Sequence, residues 1–212
     1  MATEEDFKQI AEDAKQRFEN RIDDVETDAT ALGWDSKESM ETRFRAATEM
    51  YDFSDAVVLD IGCGFGDFYE FLTDRGQQPS EYYGIDISDE ILARARNRCP
   101  EATFEQRNIF VDQFDNRTFD IAVEFGVLNY NLDRISNEEY IREYMRRTYE
   151  VSDATLINCL SNYREGDWEW ESFVYYYSPE KVFGYAQELT HDVNIKHDFK
   201  PIPQKEFNLL LK

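Results

Sequence analysis

Histidine and cysteine are scarce in this sequence. The two histidines, His191 and His197, sit together near the C-terminal end, and Cys63, Cys99 and Cys159 show neither pairing nor metal-ligand spacing. A disulfide framework and a structural metal site are therefore not expected, and the three thiols read as small core residues. No apolar run approaches the roughly 20 residues of a membrane span. The opening MATEEDFKQI has neither the basic nor the apolar region of a secretion signal. These absences predict a cytoplasmic protein with no membrane partner. Basic charge is short as well, with 23 Lys and Arg against 45 Asp and Glu and a net charge of −22. Nothing resembles the basic stripe of a nucleic-acid binder, so no nucleic-acid partner is expected. The acids run along the whole chain rather than forming a tail. That spread favours a halophilic surface, kept hydrated in a salty cytoplasm, over a partner that wants negative charge.

What is present suits a single domain spanning 1–212: 212 residues, 42% apolar and 15% aromatic. Residues 1–52 read as a helical cover. Phe7, Ile10, Ala14, Phe18, Ile22 and Val25 recur at helical spacing. After a break at Leu32-Gly33-Trp34, Ser36 caps a second helix carrying Met40, Phe44, Ala47 and Met50. From 53 to 212 strands and helices alternate. Strands are expected at 56–61, 81–87, 103–108, 119–128 and 154–160, with helices at 68–75, 89–98, from the Ser136/Glu139 capping box through Tyr149, and from Ser178-Pro179 to 189. Two further strands, 193–199 and 207–211, follow with no helix between them. The pattern predicts a doubly wound, Rossmann-like α/β sheet of seven strands with an antiparallel C-terminal edge.

The stretch Leu59-Asp60-Ile61-Gly62-Cys63-Gly64-Phe65-Gly66-Asp67 follows a buried strand and opens a helix. Glycines there let the backbone turn tightly and approach a ligand. The spacing is G-x-G-x-G and not the G-x-G-x-x-G of dinucleotide folds. Asp67 is ill suited to a pyrophosphate but compatible with a cationic ligand at a helix N-terminus, and Asp60 points the same way. Asp86 ends the second strand, where nucleotide-binding α/β folds place an acid for the ribose hydroxyls. Ile87 beside it suits an adenine face. A helix cap is the plain alternative for Asp86, but Ser88 already fills that role.

VLDIGCGFG followed by GIDIS resembles motifs I and II of the class I methyltransferases, which use S-adenosylmethionine, and the likeness runs from about Ala56 to Leu160. The resemblance implies that Gly62, Cys63, Gly64 and Gly66 line the methionine part of the cofactor, with Asp60 near the sulfonium and Asp86 on the ribose. Asn108 and Ile109 would meet the adenine; the family often has Asp at the Asn108 position. Glu124, Phe125 and Gly126 would lie at the methyl end. Upstream, ALGWDSKES and Arg43-Phe44 are similar to a small prokaryotic, haloarchaeal-type group whose substrates are mostly unassigned. On that likeness Arg43 would grip the cofactor carboxylate through two bonds and Trp34 would cover it. The plainer reading of Arg43 is a surface charge on a helix.

Methyl transfer from a sulfonium is an in-line displacement that depends chiefly on alignment. If a base is needed, the candidates are Glu124, Asn129 and Tyr130, although loop capping would equally explain the last two. The Asn/Asp-Pro-Pro-Phe/Tyr motif of amino methylation is absent, since the chain reads Gly126-Val127-Leu128-Asn129-Tyr130. Residues 161–177 are rich in aromatics and suit either an acceptor wall or plain packing. Their interleaved acids, Glu165, Asp167, Glu169 and Glu171, favour a neutral or cationic small-molecule acceptor. The rival readings are an aminopropyl-type transferase, a non-catalytic cofactor-binding or assembly module, and a dehydrogenase. The oligomeric state is left open.

Overall fold

The computed structural model describes residues 2–22, 28–114, 118–163, 171–201 and 205–212. Three helices come first: α1 (Glu4–Ile22), the single turn α2 (Asp28–Ala31) and α3 (Lys37–Thr48). Ser36 caps α3 through a reciprocal box with Ser39. The alternating part follows as β1 (Val57–Ile61), α4 (Asp67–Asp74), β2 (Glu81–Asp86), α5 (Asp89–Arg98), β3 (Thr103–Gln106), β4 (Ile121–Phe125), α6 (Asn137–Val151) and β5 (Thr155–Leu160). Last come α7 (Pro179–Ala186), β6 (Val193–Phe199) and β7 (Glu206–Leu211). Ser88, Ser136 and Ser178 cap α5, α6 and α7 by accepting the N–H three residues on.

The seven strands lie in the order β3-β2-β1-β4-β5-β7-β6. β1 to β5 are parallel, and β7 runs against both neighbours, one strand in from the edge. One face of the sheet, carrying Val58, Val123, Phe125 and Leu156, packs under α3, α4 and α5. The other, carrying Leu59, Ala122 and Ile157, packs under α6, α7 and the start of α1. With both faces covered, the central strands are apolar throughout, apart from single acids. The chain winds outward from β1 to β3, then returns beside β1 as β4. The crevice at the C-terminal ends of β1 and β4 is thus the switch point where such sheets bind ligands.

β4 is shorter than the expected 119–128. Phe119 makes only an isolated bridge, to Ser152, and the chain turns away at Gly126, whose φ is +97°. β3 likewise stops at Gln106, before Asn108, because the Asn108 side chain caps a turn instead of continuing the ladder. Val25 lies outside the described residues. No helix among the described residues is long and apolar enough to cross a membrane.

Candidate active site

A cavity of about 760 Å³ opens at the switch point, floored by the glycine turn after β1 and by the loop after β4 and roofed by α1. The turn is shaped by positive φ angles. Gly62 and Gly64 sit at +71° and +55°, a region costly for residues bearing a Cβ. There is no room for one either. It would lie 2.3 Å from Val127 Cγ2 at Gly62 and 2.6 Å from Leu32 Cδ1 at Gly64. The close approach seen here is therefore within the chain, with the loop after β4 at Gly62 and with the cover at Gly64, while Gly62 and Gly64 also line the cavity. Gly66 does not line the cavity. It faces Cys99 and Phe104, where α5 and β3 pack behind the turn. Cys63 lines the cavity, but its thiol is buried against Gly84 and burial pushes its pKa up.

Asp86 holds the turn in place. Its Oδ2 accepts the Gly64 N–H at 3.2 Å and its Oδ1 the Ser88 N–H at 3.0 Å. Burial raises its pKa, and the backbone bonds oppose that. Asp60, one strand over, accepts a short hydrogen bond from the Tyr82 hydroxyl. Burial pushes Asp60 up to about 7, with Asp86 and Asp67 adding repulsion. Asp67, expected to meet a cationic ligand, instead pairs with Arg98 at 2.8 Å. Asn108 and Ile109 line the far end. Asn108 Oδ1 accepts the Phe110 N–H at 3.0 Å, so the oxygen expected to serve adenine already has one local partner and keeps one lone pair. Ile87 lines the same end. Here α1 closes the cavity: Phe7 stacks on Phe110 at 4.7 Å, and Glu19 accepts from the Ser88 hydroxyl at 2.7 Å.

Arg43 and Trp34 close the opposite end. Arg43 is buried, and its Nε donates to Glu206 Oε2 at 2.8 Å while Nη2 donates to Oε1. The fork predicted for a cofactor carboxylate is thus engaged by a carboxylate of the chain itself. Nη1, also buried, has no hydrogen-bond partner among the described residues. Trp34 stacks over this guanidinium at 4.7 Å and rests on Gly126, 3.2 Å from where a Cβ would be. Phe125 lines the wall between them.

Glu124 is placed differently from the expectation. It is fully buried on the α6 side of the sheet and does not line the cavity. Its Oε1 accepts the Asn158 N–H at 2.7 Å and its Oε2 the Val127 N–H at 3.0 Å. Alternation along β4 explains this, because neighbours face opposite sides and Phe125 takes the cavity side. Burial lifts Glu124 to about 8. It anchors the loop after β4 and has no reach to a substrate. Asn129 and Tyr130 do line the cavity, but Asn129 Oδ1 accepts the Leu160 N–H at 3.0 Å. Tyr130 carries the Arg17 guanidinium over its ring at 4.2 Å.

Within the aromatic stretch, Trp168, Trp170, Glu165, Asp167 and Glu169 lie outside the described residues. Phe173 and Glu171 reach the cavity rim, Tyr177 is core with its hydroxyl on the Leu128 carbonyl at 2.8 Å, and Tyr163 turns away against His197. Sequence reasoning missed Tyr82, Glu206 and the cavity face of α1. Among 45 acids nothing singles out Glu206 except its place before an apolar strand. Among the described residues no group of three or more His, Cys, Asp or Glu is placed to hold a metal ion.

The parts fit S-adenosylmethionine: a polar buried Nη1 at one end, an acid closing β2 in the middle, and an apolar slot at the other. A doubly wound sheet with a glycine turn at its switch point is the arrangement in which α/β folds bind nucleotide-containing cofactors. Residues 58–150 match the family described as a methyltransferase domain. The chain is 27% identical over 148 residues to a Mycobacterium tuberculosis protein with a provisional methyltransferase name, covering 67% of this chain and 86% of that one. A 52-residue stretch, 24% of the chain, is 44% identical to the trans-aconitate 2-methyltransferase of Afipia carboxidovorans, of which it covers 20%. In fold it is similar to the magnesium protoporphyrin IX methyltransferase of Synechocystis, solved with S-adenosylhomocysteine bound, with a TM-score of 0.66, 11% identity, and 96% and 95% of the two chains covered. Residues 58–150 thus carry the likeness to a methyltransferase domain, and the whole chain shares the fold of methyltransferases solved with S-adenosylmethionine or its demethylated product bound.

Proposed function

We propose that the chain methylates a small-molecule acceptor by in-line displacement within this cavity, as one domain whose first 52 residues roof the α/β core. The cofactor's methionine end lies between the Gly62–Gly64 turn and Arg43, with Asp60 nearby. Asp86 takes the ribose, and Ile87, Asn108 and Ile109 border the adenine under Phe7. The observation that carries this reading is the Nη1 of Arg43, buried and unpartnered beside the turn. A buried guanidinium N–H without an acceptor is costly, and a ligand carboxylate relieves that cost. When bound, the cofactor supplies an electrophilic methyl group. The residues of the chain bind it, hold it in line and exclude water.

The names of the relatives support a small acceptor, since aconitate and a porphyrin are both small molecules. The acid excess supports a halophilic, cytoplasmic setting. The test is calorimetric titration of S-adenosylhomocysteine against wild type and Asp86→Ala. Micromolar binding that Asp86→Ala removes while the fold survives supports the site. A folded wild-type protein that binds nothing, at low or high salt, overturns it in favour of an assembly module.

A further inference from the structure

Two arginines of α1 line the cavity with no carboxylate to hold among the described residues. Among the described residues, the arginines without an acid partner within 4.0 Å are Arg17, Arg21 and Arg94, in a chain with twice as many acids as bases. Arg94 lies over Phe65, away from the cavity, whereas Arg17 and Arg21 both line it from α1. They converge on one spot. The Arg17 guanidinium sits 4.2 Å above the Tyr130 ring. Arg21 Nη1 and Tyr130 Oη lie 2.9 and 3.6 Å from the position that a Cβ on Gly33 would take. Asp13, on the same helix face, is drawn 4.0 Å from Arg134. In a chain of net charge −22, a cationic side chain ordinarily finds an acid. Asp35, Asp133 and Glu171 line the same cavity, yet none comes within 4.0 Å of either arginine, and two guanidinium groups left so suit an oxyanion.

Two of the three side chains weighed as a base are already engaged. Both oxygens of Glu124 accept backbone N–H groups, and Asn129 Oδ1 is held by Leu160. A nucleophile that needs no deprotonation asks nothing of them. A carboxylate meets that condition near neutral pH.

We propose that the acceptor is a small acid with at least two carboxylates, one gripped by Arg17 and Arg21 and the other presented to the methyl group. This rests on the cofactor reading above. One lone pair of the presented carboxylate forms the O–C bond, and the C–S bond breaks with its pair returning to sulfur. A methyl ester and a neutral thioether result, and no proton moves. Of the acids behind the preference for a neutral or cationic acceptor, Glu165, Asp167 and Glu169 lie outside the described residues and Glu171 lines the cavity with Arg17 and Arg21 but comes within 4.0 Å of neither. Long-range repulsion from the acidic surface is screened beyond about 10 Å at moderate salt, so the local arginines govern capture.

The test uses the full chain saturated with S-adenosylhomocysteine. It is titrated calorimetrically with the α,ω-dicarboxylates from succinate to pimelate, with phthalate, and with α,ω-diamines of equal length. The expected result is binding of at least one dicarboxylate and no diamine. The Kd should rise tenfold or more in Arg17→Gln/Arg21→Gln, with partial recovery in Arg17→Lys/Arg21→Lys and an unchanged Kd for S-adenosylhomocysteine. A diamine that binds in place of the acids overturns the proposal. So does an equal dicarboxylate Kd in the double Gln variant, or no dicarboxylate binding to a protein that does bind S-adenosylhomocysteine. Failure of S-adenosylhomocysteine itself to bind overturns the cofactor reading, and this proposal with it.

Discussion

Arg43 of α3 and Glu206 of β7, 163 residues apart in sequence, form a buried two-bond ion pair beneath the N-terminal cover. The pair ties the cover to the antiparallel strand and leaves Nη1 buried with no hydrogen-bond partner among the described residues. Removing one partner strands a buried charge, and Arg43→Met is expected to lose about 3–5 kcal/mol of unfolding free energy. Arg43→Met/Glu206→Leu, which removes both charges, should recover most of that stability in urea melts yet still bind S-adenosylhomocysteine at least tenfold more weakly. Recovery of affinity together with stability would assign Arg43 a purely structural role.

At the glycine turn, backbone conformation and lack of space act together. Gly64→Ala puts a Cβ at a φ of +55° and 2.6 Å from Leu32 Cδ1. A loss of about 2–3 kcal/mol is expected, of which strain at positive φ accounts for about 1–3 kcal/mol. Gly76→Ala is the reference, because its φ is +72° and nothing lies within 4 Å of the added carbon. It should cost less than Gly64→Ala by thermal melting, and Leu32→Ala should narrow the gap.

The parts of the fold set by local periodicity were readable in advance. A continuous apolar run marked β1 as a strand covered on both faces, and serines marked the starts of α3, α5, α6 and α7. Of the residues named for the site, all but Gly66 and Glu124 line the cavity. Those two exceptions have one cause. A motif gives position along the chain, while the facing of each side chain is decided by strand alternation and by what packs behind. The Arg43–Glu206 pair and the convergence of Arg17 on Tyr130 were illegible for a different reason, since each joins segments whose approach depends on the whole sheet order.

Phe7 holds the start of α1 over the end of the cavity lined by Asn108 and Ile109. Phe7 is buried, stacks parallel on Phe110 with an interplanar angle of 4°, and meets Tyr140 at 6.2 Å. Its carbonyl also accepts from Asn108 Nδ2 at 3.5 Å. Phe7→Ala is expected to cost about 3 kcal/mol, spent on docking of α1 rather than on the sheet. Hydrogen exchange should therefore show protection falling over residues 4–22 and holding in β1, β4 and β5. S-adenosylhomocysteine affinity should fall with it. A uniform loss of protection would mean that α1 folds as one unit with the core.

Two buried carboxyls make stability depend on pH in an unusual direction. Asp60 rises to about 7 from an ordinary 3.8, and Glu124 to about 8 from 4.5, both chiefly through burial. Each binds its proton more tightly folded than unfolded. Their contribution is therefore complete below about pH 4 and is lost as pH rises through 7 and 8. Carboxyls with lowered values, such as Asp6 and Asp52, act in the opposite sense, but only near and below their ordinary value of 3.8. Between pH 5 and 8, then, stability should decline with rising pH, by about 1.4 kcal/mol per pH unit for each group that is protonated in the folded chain and ionised in the unfolded one. Asp60→Asn should flatten the part of that decline below pH 7. Tyr82→Phe removes the hydroxyl that favours the charged form of Asp60, and should move the same transition to higher pH. Urea melts of the three proteins at pH 5, 6, 7 and 8 decide it. A stability that is flat or climbs across this range in wild type would mean that water or a counter-charge reaches Asp60 and Glu124.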